Sequence, residues 1–284
     1  MLTVTGVREL RECVASWRSQ NQRIVFVPTM GNLHAGHLAL VRHARTLGDR
    51  VIVSIFVNPT QFAPGEDYDS YPRTPQADAQ ALAAEQVDLV FVPDVDSVYP
   101  HGVKPAGAYP VPPVGHGLED EFRPGFFAGV VTVVKRLFEL VQPDCAVFGQ
   151  KDYQQLAVIR AMISDLGLPI ELASVATVRE ADGLALSSRN QYLSAAERAQ
   201  APLLYHTLCE VAERLRQGDV DYAALEGGAM RKLASVGFVP DYVSIRQAES
   251  LSPVTPGERH CVVLAAARLG RARLIDNVVV TDNA

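Results

Sequence analysis

The chain has 284 residues, 48% hydrophobic and 20% charged, enough apolar material for one large or two modest packed domains. A formal net charge of −6 argues against a dedicated nucleic-acid binder, which is usually basic. No apolar run approaches the roughly 20 residues of a bilayer-crossing helix, and charge enters by Arg8, so neither a membrane span nor a secretory signal is expected. Cys13, Cys145, Cys209 and Cys261 are scattered without a CxxC pair, which fits incidental thiols of a cytoplasmic protein.

In chain order, Val4 to Ser19 has helical spacing and Ile24 to Val27 is an apolar strand. The strand runs into Pro28-Thr29-Met30-Gly31-Asn32-Leu33-His34-Ala35-Gly36-His37, and a helical pattern from His37 to Leu47 follows. Two histidines thus stand in the first turn of a helix, at the carboxyl end of a buried strand. Free backbone N–H groups and the positive end of the helix dipole suit a phosphate there. Three readings stay open: a metal pair still wanting a third ligand, histidines that cap the turn, or groups that contact phosphate. In the last, Thr29 and Met30 floor the pocket.

Arg50 to Val57 is a second strand ending at Asn58-Pro59-Thr60-Gln61-Phe62, whose amides could read a small polar substrate. Thr74 to Glu85 is helical, with Arg73 and Asp78 at its start. A carboxylate there could hold Mg²⁺ on nucleotide phosphates or simply face solvent. Leu89 to Val92 is a strand, and the Pro-rich segment from Tyr99 to Pro113 is expected to be an ordered loop. Phe122 to Gly129 opens the helix that continues to Val141, Cys145 to Phe148 is a strand, and Asp152 to Leu166 is a helix with Lys151 at its start. Ile170 to Val178 closes the series. Short apolar strands alternating with helices predict a doubly covered parallel sheet, which binds ligands beyond the strands' carboxyl ends.

The pattern changes after Val178. Asp182-Gly183 marks a turn, and Ser187-Ser188-Arg189-Asn190 lines up hydroxyls, a guanidinium and an amide. This is either a polar loop ahead of the next helix or a loop that closes over triphosphate oxygens. Ser194 and Glu197 form a capping box for a helix to Gln217, Tyr222 to Val236 is another helix, and three β segments follow with a turn at Gly270. The expected domains are 1–177, a Rossmann-like α/β unit, and 178–284, a smaller α+β unit.

The segments PTMGNLHAGH, SIFVNPTQF, YPRT, RPGFFAGVVTVVKRLF, FGQKDYQQL and VREADGLALSSRNQYLS are collinear and together resemble the pantothenate synthetase (pantoate–β-alanine ligase) family. HxGH alone is shared with nucleotidyltransferases and class I aminoacyl-tRNA synthetases; its conjunction with FGQKDYQQL and SSRN is far more specific. The resemblance implies a Rossmann-like domain with a C-terminal lid, usually a homodimer, acting on small molecules only. It further implies that ATP and pantoate, with Mg²⁺, form pantoyl adenylate and pyrophosphate, and that β-alanine then displaces AMP.

By matching position, His34, His37, Lys151, Ser187, Ser188 and Arg189 stabilise the phosphates. Met30, Gly149, Asp152, Val178 and Leu186 complete the ATP pocket. Gln61 and Gln155 hold pantoate with Pro28 and Thr29, while Met30, Val133, Val134 and Phe148 surround its methyl groups. Asn58 places the second substrate, and Asp78 with Gln155 lies near Mg²⁺. Three positions depart from the family pattern. Phe126 stands where a His is usual, Ala77 where many members carry an acid, and Leu186 where Met is usual, the last a volume-conserving change. A nucleotidyltransferase that leaves the nucleotide on its product, or a non-catalytic nucleotide-binding module, is the alternative.

Overall fold

A computed structural model describes residues 1–62, 66–103, 109–255, 257–258 and 260–281. Residues 104–108 of the loop expected between Tyr99 and Pro113 lie outside the described residues. The first domain is built from β1 (Leu2–Val4), α1 (Val7–Ser19), β2 (Ile24–Thr29), α2 (Ala35–Ala44), β3 (Arg50–Ile55), α3 (Pro75–Ala84) and β4 (Leu89–Phe91). It continues with α4 (Val95–Val98), α5 (Glu119–Phe122), α6 (Phe126–Val141), β5 (Cys145–Gly149), α7 (Tyr153–Asp165) and β6 (Glu171–Val175).

Its six strands form a parallel sheet in the order β1-β4-β3-β2-β5-β6. Residues alternate between faces, as a period of two requires. Ile24, Phe26, Ile52 and Phe148 join one core with α1, α6 and α7, while Val25, Val27, Val51 and Val147 join another with α2 and Leu82 of α3. That double burial is why these strands read as unbroken apolar runs. The chain winds outward from β2 to β4 and then crosses to β5, so the strand order reverses between β2 and β5. In a doubly wound sheet that reversal opens the ligand crevice. Both His34 and Lys151 follow directly from the two strands that flank it.

The second domain carries α8 (Ala195–Gln200), α9 (Leu203–Arg216), α10 (Tyr222–Ser235) and the antiparallel sheet β7 (Val239–Gln247), β8 (Cys261–Leu269), β9 (Ala272–Val280). Gly270, at φ +55°, makes the β8–β9 turn. Two elements differ from the sequence reading. Val4, expected to open the first helix, ends the edge strand Leu2–Val4 on β4, and the helix starts at Val7; three residues are too few to show a period. The helix expected from Glu197 to Gln217 is two helices, because Pro202 has no N–H to donate and starts α9 afresh.

The domains meet over an apolar seam of Leu118, Ala157, Ala248, Leu251, Val262 and Leu264. Beside it Arg273 donates to Glu119 at 2.6 and 2.9 Å and to Asp241 at 2.7 Å, and Tyr242 donates to Glu119 at 2.9 Å. Breaking one partner of so buried a cluster would strand a charge.

Candidate active site

Gly31 and Asn32 both take positive φ, +79° and +50°, which turns the chain sharply after β2. A Cβ on Gly31 would also meet Ile55 at 3.0 Å and the Asp78 carboxylate at 3.1 Å. The turn's N–H groups are taken up by Asp78. Asn32 N–H donates to Oδ2 at 3.0 Å, Leu33 N–H to Oδ1 at 2.8 Å, and the Thr74 hydroxyl to Oδ1 at 3.0 Å. Asp78 is buried and lines neither hollow of the cleft. These contacts do not support the expectation that it lies near Mg²⁺. Its oxygens are spent on the backbone of the histidine loop, and with Gln155 it makes no donor set for a protein-held metal. Arg73 likewise donates to carbonyls of its own loop, those of Asp69, Tyr71 and Tyr68.

His34 is the N-cap of α2. Its Nδ1 accepts from Gly36 N–H at 3.1 Å, and His37 Nδ1 accepts from His34 N–H at 3.3 Å. An imidazole that accepts at Nδ1 carries its proton on Nε2. Both rings, 4.1 Å apart between centroids, are thus fixed as neutral Nε2–H donors. Burial lowers the His34 pKa to about 4, and the Lys151 ammonium adds to it; burial lowers His37 to about 3, with His34 and Lys151 contributing. Capping, one of the readings open in sequence, is done by the Nδ1 atoms and leaves Nε2–H of each ring outside the capping bonds.

These rings face a hollow of about 220 Å³ at the β2–β5 crevice. It gathers Pro28, Thr29, Met30, His34, His37, Asn58, Gln61, Val133, Val134, Phe148, Gly149, Lys151, Asp152, Gln155, Val178, Leu186, Ser187, Ser188 and Arg189. Every expected site residue but Asp78 is in that wall. A larger hollow of about 680 Å³, between the first domain and the β7–β9 sheet, shares Met30, Gln61, Lys151, Gln155 and Arg189 with it.

Several walls are held more tightly than the sequence suggests. Asn58 is 1% exposed; its Nδ2 donates to Gln61 Oε1 at 3.1 Å and to Gly129 O at 3.3 Å, and its Oδ1 accepts from the Tyr99 hydroxyl at 2.7 Å. With both its donors committed, Asn58 orients Gln61, whose Nε2 donates to Met30 Sδ at 3.0 Å. Gly129 lets α6 come close to this turn, since a Cβ there would sit 2.3 Å from Thr60 O. Arg123 pairs with Glu66 through two 2.7 Å bonds, donates to Gln61 O at 3.2 Å, and lies 3.9 Å over the Phe126 ring. Phe126 thus supplies an aromatic platform for a cation.

On the opposite wall, Ser187 Oγ accepts from Arg189 N–H at 3.2 Å and Ser188 Oγ donates to Asn32 O at 3.2 Å. Arg189 donates to both oxygens of Asp67, at 2.8 and 3.1 Å. Sequence reasoning misses Asp67 and Glu66, and the roles of Tyr71 and Arg123. Glu66 and Asp67 sit in a short stretch with several acids and no periodicity, so nothing there marks one acid above another.

The family model described as pantoate-beta-alanine ligase matches residues 2–279. The chain belongs to the pantoate–β-alanine ligase family. A pantothenate synthetase of Chromohalobacter salexigens is 54% identical over 281 residues, covering 99% of both chains. The crystal structure of the Thermus thermophilus pantothenate synthetase superposes with a TM-score of 0.91 at 46% identity, over 99% of this chain and 100% of that one. A pantoate–β-alanine ligase from Francisella tularensis, solved with β,γ-ATP and β-alanine, gives 0.82 at 34% identity, over 98% and 97%. The Rossmann-like sheet and the small antiparallel domain are those of pantoate–β-alanine ligases. Among the described residues no helix is long and apolar enough to cross a membrane.

Proposed function

We propose that the chain joins pantoate to β-alanine at the cost of ATP, through an enzyme-bound pantoyl adenylate. The observation that carries this is the pair of neutral Nε2–H donors beside Lys151, opening on the same hollow as two amides and an apolar wall. Pantoate's carboxylate is a poor electrophile. Its oxygen attacks the α-phosphorus of ATP, and pyrophosphate leaves with the electron pair of the broken P–O bond. His34, His37 and Lys151 stabilise the charge that gathers on the phosphate oxygens, and no protein nucleophile is needed. Gln61 and Gln155 orient the small hydroxy acid, with Met30, Val133, Val134 and Phe148 against its methyl groups.

β-Alanine's amine then attacks the acyl carbon, AMP departs, and the amine sheds a proton. Gly129 and Asn58 act here indirectly, by fixing the turn that carries Gln61. No step runs through a metal held by this chain; a divalent ion would arrive on the nucleotide's own phosphate oxygens. Incubation with ATP, Mg²⁺, pantoate and β-alanine should yield AMP and pantothenate only when both acids are present. Pyrophosphate release with the nucleotide retained on the product would instead mark a nucleotidyltransferase.

A further inference from the structure

We propose that Asn277, on the last strand of the second domain, is a positioning residue for Lys151. Asn277 is 6% exposed, and its Nδ2 donates to the carbonyl of Gln150 at 2.9 Å and to that of Lys151 itself at 3.0 Å. Two carbonyls can be met only by the amide's nitrogen, so the side chain's orientation is unambiguous. These carbonyls belong to the short 3-10 turn Gln150–Asp152 that carries the chain from β5 into α7, the point where Lys151 leaves for the crevice. One amide therefore fixes the peptide planes on either side of the Lys151 Cα.

Asn277 is itself held firmly. Its N–H donates to Asp276 Oδ1 at 2.7 Å, and Asp276 takes a two-pronged pair from Arg179 at 2.6 and 2.8 Å. Arg179 also donates to Gly183 O at 3.1 Å and bridges to Ala185, in the hairpin that leads to Ser187. The strand end thus braces Lys151 directly through Asn277 and the start of the serine loop through Asp276. A misplacement of about 1 Å in a positioned group can lower a rate by about a hundredfold, which sets the scale expected here.

The proposal rests on the reading of Lys151 as a phosphate-contacting group, and its test is separable from that reading. Asn277→Asp keeps the shape and removes both donors, Asn277→Ala removes them without adding charge, and Asn277→Ser keeps one hydroxyl donor. ATP affinity by calorimetry and pantoate-dependent AMP formation are measured for each, alone and in a Lys151→Ala background. Asn277→Asp and Asn277→Ala should lower kcat/KM for ATP by roughly 10- to 100-fold with KM for pantoate within about twofold, and Asn277→Ser should fall between. In the Lys151→Ala background the same changes should cost little more, since coupled residues are not additive. Equal losses in both backgrounds, or an unchanged kcat/KM for ATP in folded Asn277→Ala, would overturn the proposal. If the unaltered protein made no AMP, the proposed reaction would fail, and Asn277 would be judged by the same cycle on ATP affinity alone.

Discussion

The two walls of the crevice are built differently. On the first-domain side, His34 and His37 are oriented by main-chain N–H groups, and their loop is clasped by buried Asp78. On the other side, the Arg189 guanidinium is paired with the Asp67 carboxylate of a separate loop and lies 5.9 Å from the centroid of the Tyr71 ring. Backbone donors set by φ and ψ cannot drift without unfolding the turn, whereas a carboxylate–guanidinium pair can be traded for a phosphate. The histidine wall is preorganised for charge; the arginine wall has a competitor already in place.

Removing a member of the rigid wall is the harshest way to break this contrast. His37→Ala and Lys151→Ala should each slow adenylate formation by about 10² to 10³, the scale of losing one preorganised donor. The stability cost of His37→Ala should stay near that of a lost helix cap, about 1 kcal/mol. Pyrophosphate release in a single turnover and a thermal melt check the two halves. Loss of fold at full specific activity would make the histidine purely structural.

Asp78 tests whether that wall depends on its clasp. Asp78→Ala leaves two half-buried N–H groups without their carboxylate, at up to about 1–3 kcal/mol each, so the melting midpoint should drop by several degrees. The Mg²⁺ concentration giving half-maximal activity should not move. A tenfold shift in that concentration with an unchanged melt would restore Asp78 as a metal ligand.

For the softer wall the change is smaller and of opposite sign. Asp67→Asn frees Arg189, and a partly exposed pair is worth about 1 kcal/mol or less, so KM for ATP should fall by up to about fivefold. A rise in KM would mean that Asp67 orients Arg189 for the nucleotide rather than competing with it.

The same contrast explains what is legible in sequence. The parallel sheet, the crevice and the histidine wall announce themselves because β-branched runs, Gly31 and the helix start are local patterns. Asp67, Glu66 and Asn277 are invisible there because Arg189, Arg123 and Lys151, which they engage, lie 122, 57 and 126 positions away. Asp78 is hard to read for a similar reason: an acid in a helix's first turn looks solvated until the packing shows a loop folded over it. Pro202 is a local signal of a different kind, a helix start hidden inside an otherwise helical run.

The smallest expected effect is a pH dependence confined to the rigid wall. His34 and His37 have folded-state pKa values of about 4 and about 3 against an ordinary 6.5. Well above pH 6.5 both folded and unfolded chains hold these rings neutral, and they contribute nothing to the slope. As pH falls from 6.5 toward 4, the unfolded chain binds protons that the folded one refuses, so stability declines. Carboxylates titrate nearby, and a variant isolates the imidazole: His37→Gln has no proton to refuse. Its melting midpoint, measured against that of the unaltered protein at pH 7, 5.5 and 4.5, should therefore gain on it as pH drops. A constant difference across that range would mean that His37 is open to water and free to charge, and the preorganised wall would lose its neutral donor.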